Sequence, residues 1–144
     1  MKALLDTSTL VAALVEAHPE HERCRPWLEK VCAGDLELVV AAHSLAELFA
    51  VLSTLPVRPK LTPALARRLI RENVERHATI ATLTATDHRA VLDDLAERGL
   101  SGGVVYDALI ARAAVRASAA RLVTLNSRDF RRAWPEGHDR VIEP

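Results

Sequence analysis

Asp6 is the only charged residue between positions 3 and 15, and it stands where a predicted strand meets a predicted helix. The apolar run Ala3–Leu5 before it is typical of a strand that is buried on both faces. Thr7 and Ser8 after it are favourable residues for the start of a helix. In open parallel sheets ligands bind at the carboxyl ends of strands, so Asp6 is a candidate ligand-binding residue, although it could equally be a helix cap.

Two further acids are isolated in the same way. Glu47 is the only charge in residues 38–57, on a predicted helix that is apolar almost all round, which indicates a buried helix and a partly desolvated carboxylate. Asp107 is the only charge in residues 99–111, on the first turns of another predicted helix, where the positive helix N-terminus would also favour an acid. Three such acids, each near the end of a strand or helix, predict a common cluster.

A cluster of carboxylates favours a particular chemistry. The mutual repulsion of the acids must be offset by raised pKa values or by a bound metal. Ligand sets made only of oxygen select hard cations such as Mg²⁺ or Mn²⁺. Such a cation activates water and neutralises charge on a phosphate, so the pattern indicates phosphodiester hydrolysis.

The composition and the order of predicted elements indicate an α/β fold. Hydrophobic residues make up 49% of the 144 residues and aromatic residues only 3%, so the core must consist of Leu, Val and Ala, which suits helices packed on a parallel sheet. We expect one domain over residues 1–144, built as a three-layer α/β/α sandwich with a mostly parallel central sheet. Strands are predicted at 3–5, 36–41, 77–83, 122–125 and 140–142, with helices between them. Residues 126–134 are expected to form a loop, with one helical turn as the alternative.

Two predicted helices carry specific core assignments. The helix over 44–55 is expected to bury the stripe Leu45, Leu48, Phe49 and Leu52. The helix that opens at Thr62-Pro63 is expected to bury Leu65, Leu69, Ile70 and Val74.

The charge pattern excludes a globally basic nucleic-acid-binding protein. Nineteen basic and nineteen acidic residues cancel, so a polyanionic partner must meet a local patch. The candidate patch consists of Arg112, Arg116, Arg121, Arg128, Arg131 and Arg132, although a solvated helix face is an equal alternative for the first two. Since aromatic residues are few, stacking on single-stranded bases is expected to contribute little, and the histidines are interpreted as incidental.

The remaining composition predicts a cytoplasmic protein. Cys24 and Cys32 are too few for a disulfide scaffold and are interpreted as reduced thiols. The apolar start is interrupted by Asp6, so no cleavable signal is expected. The weakly polar stretch 38–57 fits a buried strand and a helix better than a membrane span.

Four segments, in this order, resemble PIN-domain ribonucleases, and within them VapC toxins of type II toxin–antitoxin pairs. The segments are LLDTS at 4–8, SLAEL at 44–48, YDALIA at 106–111 and VTLNSRDF at 123–130. The resemblance implies that Asp6, Glu47 and Asp107 are the acidic metal-site residues and that Thr124 supports the site, as do Thr7, Ser8 and Asn126.

The fourth acid of the site is a separate question. Some relatives have Asp where this chain has Asn126, which can ligate or hydrogen-bond but brings no charge, so one metal and two metals both remain open. Asp129 lies in the Asp-Phe pair that other relatives share and is expected to be an outer member of the catalytic set.

The resemblance implies an Mg²⁺-dependent endoribonuclease toxin, with Mn²⁺ as an alternative metal, that acts on cellular RNA. It also implies a cognate antitoxin and a homodimer. The charge pattern, and not the resemblance, makes Arg112 and Arg116 the candidate RNA-binding residues. A non-catalytic binding module on a degenerate nuclease fold is one alternative. An aspartyl-phosphate phosphotransferase is another, but those enzymes usually have Asp two residues after the nucleophile, where this chain has Ser8.

Overall fold

A five-stranded parallel sheet forms the centre of the computed structural model, which describes all residues from 1 to 144. Its strands are Lys2–Leu5 (β1), Glu37–Ala41 (β2), Ala78–Ala81 (β3), Arg121–Val123 (β4) and Val141–Ile142 (β5). Their order across the sheet is β3-β2-β1-β4-β5, and every neighbouring pair is parallel. The predicted parallel sheet is therefore confirmed.

Seven α-helices cover the two faces of this sheet. They are Thr7–Leu14 (α1), His21–Ala33 (α2), Ala42–Leu52 (α3), Pro63–Ile70 (α4), Ala85–Glu97 (α5), Val104–Arg116 (α6) and Ser127–Ala133 (α7). The core on one face is built with α1 to α4, the core on the other face with α6 and α7, and α5 packs against α6. The three-layer α/β/α sandwich is thus confirmed. None of the helices is both long enough and apolar enough to span a membrane.

The last three residues of the central strand β1 are all apolar, instead of alternating between apolar and polar, because both faces of the strand are buried. Ala3 and Leu5 belong to the core under α1 to α4, whereas Leu4 belongs to the core under α6 and α7. All three are fully buried because helices cover both faces of the sheet.

The strand order places a topological switch point beside β1. The chain passes from β1 to β2 and β3 on one side, and then returns to place β4 on the other side of β1. Ligands bind in open α/β sheets at such switch points, outside the carboxyl ends of the strands. Leu5 pairs with Val123 at this edge, so Asp6 and Thr124 follow neighbouring strand ends.

The expectation that the third helix is buried all round is wrong. Leu48 and Leu52 of α3 are buried, but Phe49 and Val51 are 41% and 38% exposed. The reason is that α3 packs against α1 and α4 on one side, while its outer side faces solvent. The side chain of Glu47 is accordingly 36% exposed rather than strongly desolvated.

Three further expectations differ from the structure. Residues 127–133 form a helix instead of a loop, because Phe130 and Ala133 bury an apolar side of that segment. Leu65 is exposed and Ala66 takes the buried position on α4, which ends at Ile70 and continues as a π-helical turn over Arg71–Glu75.

Both cysteines are free thiols, as predicted. Cys24 lies on α2 and is buried in the core under α1 to α4, and Cys32 is exposed.

Candidate active site

Asp6 caps the first helix from the end of the central strand. Its backbone N–H donates to the carbonyl of Val123 at 3.1 Å, which continues the pairing of β1 with β4. Its Oδ1 accepts the backbone N–H of Thr9 at 3.0 Å, the contact of an N-cap residue. The carboxylate is 3% exposed, so the cap and the candidate ligand are the same buried group.

Two hydroxyl groups hold the Asp6 carboxylate from the other side. Ser8 Oγ donates to Asp6 Oδ1 at 2.8 Å, and Thr124 Oγ1 donates to Asp6 Oδ2 at 2.8 Å. The same hydroxyls accept the backbone N–H groups of Leu125 at 3.1 Å and Asn126 at 2.9 Å. Each hydroxyl hydrogen is therefore directed at Asp6, and the loop after β4 is fixed to the end of β1.

The charge of Asp6 is only partly compensated by these contacts. Burial raises the pKa of Asp6, and the hydrogen bonds from Thr9, Ser8 and Thr124 oppose that rise. A carboxylate offers about four lone-pair positions, and three hydrogens reach this one, so about one position stays free for a further partner.

Glu47 is held between two neighbours. Thr7 Oγ1 donates to Glu47 Oε1 at 3.3 Å, and His43 Nε2 lies 3.4 Å from the same oxygen. His43 precedes Glu47 by one turn of α3, so both contacts fix the carboxylate on the side of α3 that faces α1.

Asp107 lies on the first turn of α6 and is the least compensated acid of the group. Its pKa is raised to about 6, chiefly by burial and then by the negative charges of Asp129, Asp6 and Glu47, in that order; no hydrogen bond opposes the shift. The charges of these three acids thus act on Asp107 directly, which places all four carboxyl groups in one region of negative electrostatic potential.

The structure brings Asp6, Glu47 and Asp107 together around one cleft of about 280 Å³. No Lys or Arg lines this cleft, so nothing in its wall balances the acids. The other lining residues are Thr7, Ser8, Val11, His18, Val51, Ile110 and Asn126.

Asp129 does not line this cleft. It is exposed, and it shares a neighbouring cavity of about 330 Å³ with Asp107 and Arg132. Asn126, in contrast, lines the cleft itself. Asp107 thus separates two cavities, and the outer catalytic role of Asp129 stays a prediction.

The donor set of the cleft fits a hard divalent cation in its chemistry. All of its charged groups are carboxylates, and oxygen ligands without soft donors are what Mg²⁺ and Mn²⁺ prefer. As the side chains stand, no three His, Cys, Asp or Glu side chains are close enough to hold one ion. The Mg²⁺ site therefore stays a prediction, for which Asp6, Glu47 and Asp107 would be the ligands.

Arg112 and Arg116 are paired with an acid that the sequence did not indicate. Both guanidinium groups bind the fully buried carboxylate of Asp87, with Arg112 Nε at 2.9 Å and Arg116 Nη2 at 3.0 Å from Oδ1, while the side chains stay 38% and 51% exposed. They lie five and nine residues after Asp107 on α6, which is about 140° and 180° around the helix from it. They are therefore not a free basic surface beside the carboxylates; as RNA-binding residues they stay a prediction.

Asp87 was missed because its segment looks like an ordinary helix start. The backbone N–H of Thr84 is the strongest of the contacts that lower the pKa of Asp87, followed by the guanidinium groups of Arg116 and Arg112. Thr84 and Asp87 also form a reciprocal capping box at the start of α5. The spacing Thr-x-x-Asp was a readable signal for that box, but nothing in the sequence indicated the two distant arginines.

Two histidines interpreted as incidental lie at the site. His18 lines the cleft, and its Nδ1 accepts the backbone N–H of Glu20 at 3.0 Å. His43 contacts Glu47, as described above. The spacing of four residues between His43 and Glu47 on a predicted helix was the available signal for the second contact.

Comparisons with known proteins agree with this architecture. A family model described as "PIN domain" matches residues 3–134. Ribonuclease VapC27 of Mycobacterium tuberculosis is 34% identical, over 86% of this chain and 84% of that protein. Ribonuclease VapC40 of the same species is 32% identical, over 88% of this chain and 85% of that protein.

Solved structures share the fold. VapBC2 from Rickettsia felis, bound to a DNA fragment from its promoter, matches with a TM-score of 0.65 and 21% identity, over 100% of this chain and 98% of that chain. FitAcB from Neisseria gonorrhoeae matches with a TM-score of 0.66 and 19% identity, over 91% and 92%. With nearly all of its length matched by the PIN domain model, and VapC ribonucleases as relatives above 30% identity, this chain belongs to the PIN domain family.

Proposed function

We propose that this chain is an Mg²⁺-dependent endoribonuclease, the toxin of a toxin–antitoxin pair, and that Mn²⁺ can replace Mg²⁺. The observation that carries the proposal is the cleft at the switch point of the sheet, where three carboxylates meet without a Lys or Arg. Similarity to ribonucleases of the VapC group supports RNA as the substrate.

The residues of the chain have separable tasks in this proposal. Asp6, Glu47 and Asp107 would hold the cation, which supplies an activated water and charge neutralisation at the scissile phosphate. Ser8 and Thr124 orient Asp6 through hydrogen bonds of 2.8 Å.

Outside the ligand set, Thr7 orients Glu47. Asn126 lies in the lining of the cleft, beside the ligands. Asp129, which lines the neighbouring cavity, makes the electrostatic potential at Asp107 more negative.

The geometry disfavours the phosphotransferase alternative. A carboxylate that attacks a phosphoryl group needs an accessible oxygen, whereas Asp6 is 3% exposed and accepts three donors. The cleft also contains no Lys that could neutralise an aspartyl phosphate. Ligation of a metal ion needs only one free lone pair on Asp6, whereas nucleophilic attack needs an oxygen that the phosphoryl group can reach.

We also propose an antitoxin partner, a homodimer and a cytoplasmic location. The antitoxin is supported by the structural neighbours, which are VapBC and FitAB assemblies. The exposed apolar side chains Phe49 and Val51 on α3 are consistent with a surface that another chain covers.

The test is cleavage of a mixed cellular RNA by the purified chain, with Mg²⁺, with Mn²⁺ and with excess EDTA. We expect cleavage with either metal and none with EDTA. Asp107→Asn should lower the rate by orders of magnitude, whereas the matched variant Asp93→Asn, an exposed acid of α5, should not. Full cleavage in EDTA would refute the mechanism, and no cleavage under any condition would favour the non-catalytic binding module.

A further inference from the structure

The rings of His43 and Tyr106 are stacked in parallel. Their centroids are 5.3 Å apart and their planes differ by 3°. His43 lies on the first turn of α3 and Tyr106 on the first turn of α6, so the stack joins two helices that follow different parts of the sheet. Tyr106 is the only tyrosine of the chain and is 52% exposed, and the His43 side chain is 39% exposed.

This stack stands at the edge of the carboxylate cleft. His43 Nε2 lies 3.4 Å from Glu47 Oε1, and Tyr106 directly precedes Asp107. Two of the three carboxylates of the candidate active site are thus adjacent to the aromatic pair. The composition predicted little stacking because aromatic residues are few, yet one of them lies beside the site.

A third cavity, separate from the two that Asp107 lines, adjoins the stack at the carboxyl ends of β2 and β3. Its volume is about 340 Å³, and His43 forms part of its wall. It contains no Lys, Arg, Asp or Glu, which distinguishes it from the carboxylate cleft. Its other lining residues are Ala41, Ala42, Ala81, Thr82, Leu83, His88, Leu109 and Ala113.

The chemistry of this cavity suits a nucleobase and not a phosphate. A phosphate needs cationic or multiple N–H donors, whereas a base presents a flat apolar face with a few polar atoms at its edge. The apolar wall matches such a face, and Thr82 and His88 supply polar atoms for an edge. His88 Nδ1 donates to the carbonyl of Thr84 at 2.9 Å, so Nε2 is the ring nitrogen left for another partner.

We propose that the cavity beside His43 receives one unpaired base of the RNA, adjacent to the phosphate that is cleaved, and that this base stacks on the His43 ring. Tyr106 does not line the cavity; it stacks on His43 and holds that ring in place, so the two rings form one platform. The inference rests on the proposed ribonuclease function and adds the residues that contact the base beside the cleaved phosphate. A stacked base at that point must be unpaired, since a base in a duplex has no free face.

The experiment uses short single-stranded RNAs that contain a cleavage site mapped with the wild-type chain. Each RNA carries one 2-aminopurine, whose fluorescence is quenched when it stacks, at a different position, and binding is followed in EDTA so that cleavage does not interfere. We expect quenching at one position next to the cleaved phosphate. His43→Leu, which removes the ring that contacts the base, should abolish the quenching and weaken binding about tenfold. Tyr106→Leu should do the same, because His43 loses the ring that holds it in place, whereas Tyr106→Phe should keep the quenching.

An abasic nucleotide provides the second arm of the test. Removal of the base at the quenched position should weaken binding by the wild type about tenfold, but should have little further effect on Tyr106→Leu, because both changes remove the same contact. Leu92→Ala, which alters a comparably exposed apolar side chain on α5, is the matched control and should behave as wild type. With Mg²⁺, Tyr106→Leu should raise KM more than it lowers kcat.

Each outcome decides between the platform and the proposed function. Unchanged quenching in Tyr106→Leu, or additive effects of the variant and the abasic site, would overturn the platform while wild-type cleavage leaves the ribonuclease function intact. If the wild type neither binds nor cleaves any RNA, the proposed function fails, and the platform fails with it.

Discussion

The hydroxyl of Thr124 donates a 2.8 Å hydrogen bond to Oδ2 of Asp6, across 118 positions of sequence. The same hydroxyl accepts the backbone N–H of Asn126, so its hydrogen has one direction left, toward Asp6. Thr124 is fully buried, and it follows the strand that pairs with β1 at the switch point of the sheet. Pairing of β1 with β4 thus fixes both the backbone and the carboxylate at the centre of the candidate site.

Replacement of this hydroxyl tests that relationship. Thr124→Val keeps the shape of the side chain but removes the 2.8 Å donor to Asp6 Oδ2, which keeps only the 3.0 Å contact from Ser8 Oγ, and it removes the acceptor of the Asn126 N–H. We expect a loss of about 1–2 kcal/mol in the free energy of unfolding. Metal-dependent RNA cleavage should also fall, because Asp6 loses its orientation. Thr86→Val, an exposed threonine of α5, is the control and should change neither quantity; an unchanged melt for Thr124→Val would contradict the assigned role.

Asp107→Asn should stabilise the metal-free protein. The pKa of Asp107 rises to about 6 in the folded state, above its value of 3.8 in the unfolded chain, so between these values the folded state binds more protons. Folding stability therefore falls as the pH rises from 3.8 to 6, and the penalty is fully present above pH 6. Because the group is partly exposed, we expect the amide to recover about 1–2 kcal/mol.

The measurement is a series of urea titrations of the wild type and Asp107→Asn in EDTA from pH 4 to pH 8. The two curves should meet near pH 4 and diverge up to pH 6. Asp93→Asn, at an exposed acid of α5, should follow the wild type throughout. A variant less stable than the wild type at pH 7 would identify Asp107 as a structural helix cap.

The fold was predictable because its signals are local. Short apolar runs rich in Val and Leu, such as Leu38–Ala41, favour strands with both faces covered, and such strands need helices on both sides of a parallel sheet. The exposure of Phe49 and Leu65 was not predictable in the same way, since helical periodicity identifies an apolar side but not whether a neighbouring helix covers it. Tertiary packing decides that question.

The three carboxylates of the site were predictable because each is the only charged residue in an apolar segment of the sequence. Asp6, Glu47 and Asp107 each stand alone in an apolar segment, and they line one cleft. The pairing of Arg112 and Arg116 with Asp87 was not predictable, because Asp87 lies 25 and 29 positions away, on α5. The charges near a residue in sequence do not reveal an ion pair with a residue on a distant helix.

Metal binding should be visible without any catalysis. Mg²⁺ or Mn²⁺ that binds only the folded state raises the melting temperature with concentration, by RT ln(1 + [L]/Kd) in free energy. We expect this rise for the wild type at pH 7.5 and its near absence in Asp107→Asn, which has lost one anionic ligand. Asp93→Asn should respond as the wild type. An equal shift in all three proteins would place the cation outside the carboxylate cleft.

Arg112 and Arg116 should matter for stability and little for RNA. Both pair with the fully buried Asp87, so the double variant Arg112→Ala/Arg116→Ala leaves this carboxylate without its two cationic partners. We expect a lower melting temperature. The loss should be several degrees at pH 7 and smaller in acid, because two of the contacts that lower the pKa of Asp87 are removed, while those from Thr84 remain, and the group becomes easier to protonate. RNA affinity and its salt dependence should change no more than in Arg89→Ala, an exposed arginine of α5. A selective loss of RNA affinity with an unchanged melt would show that these arginines bind phosphate after all.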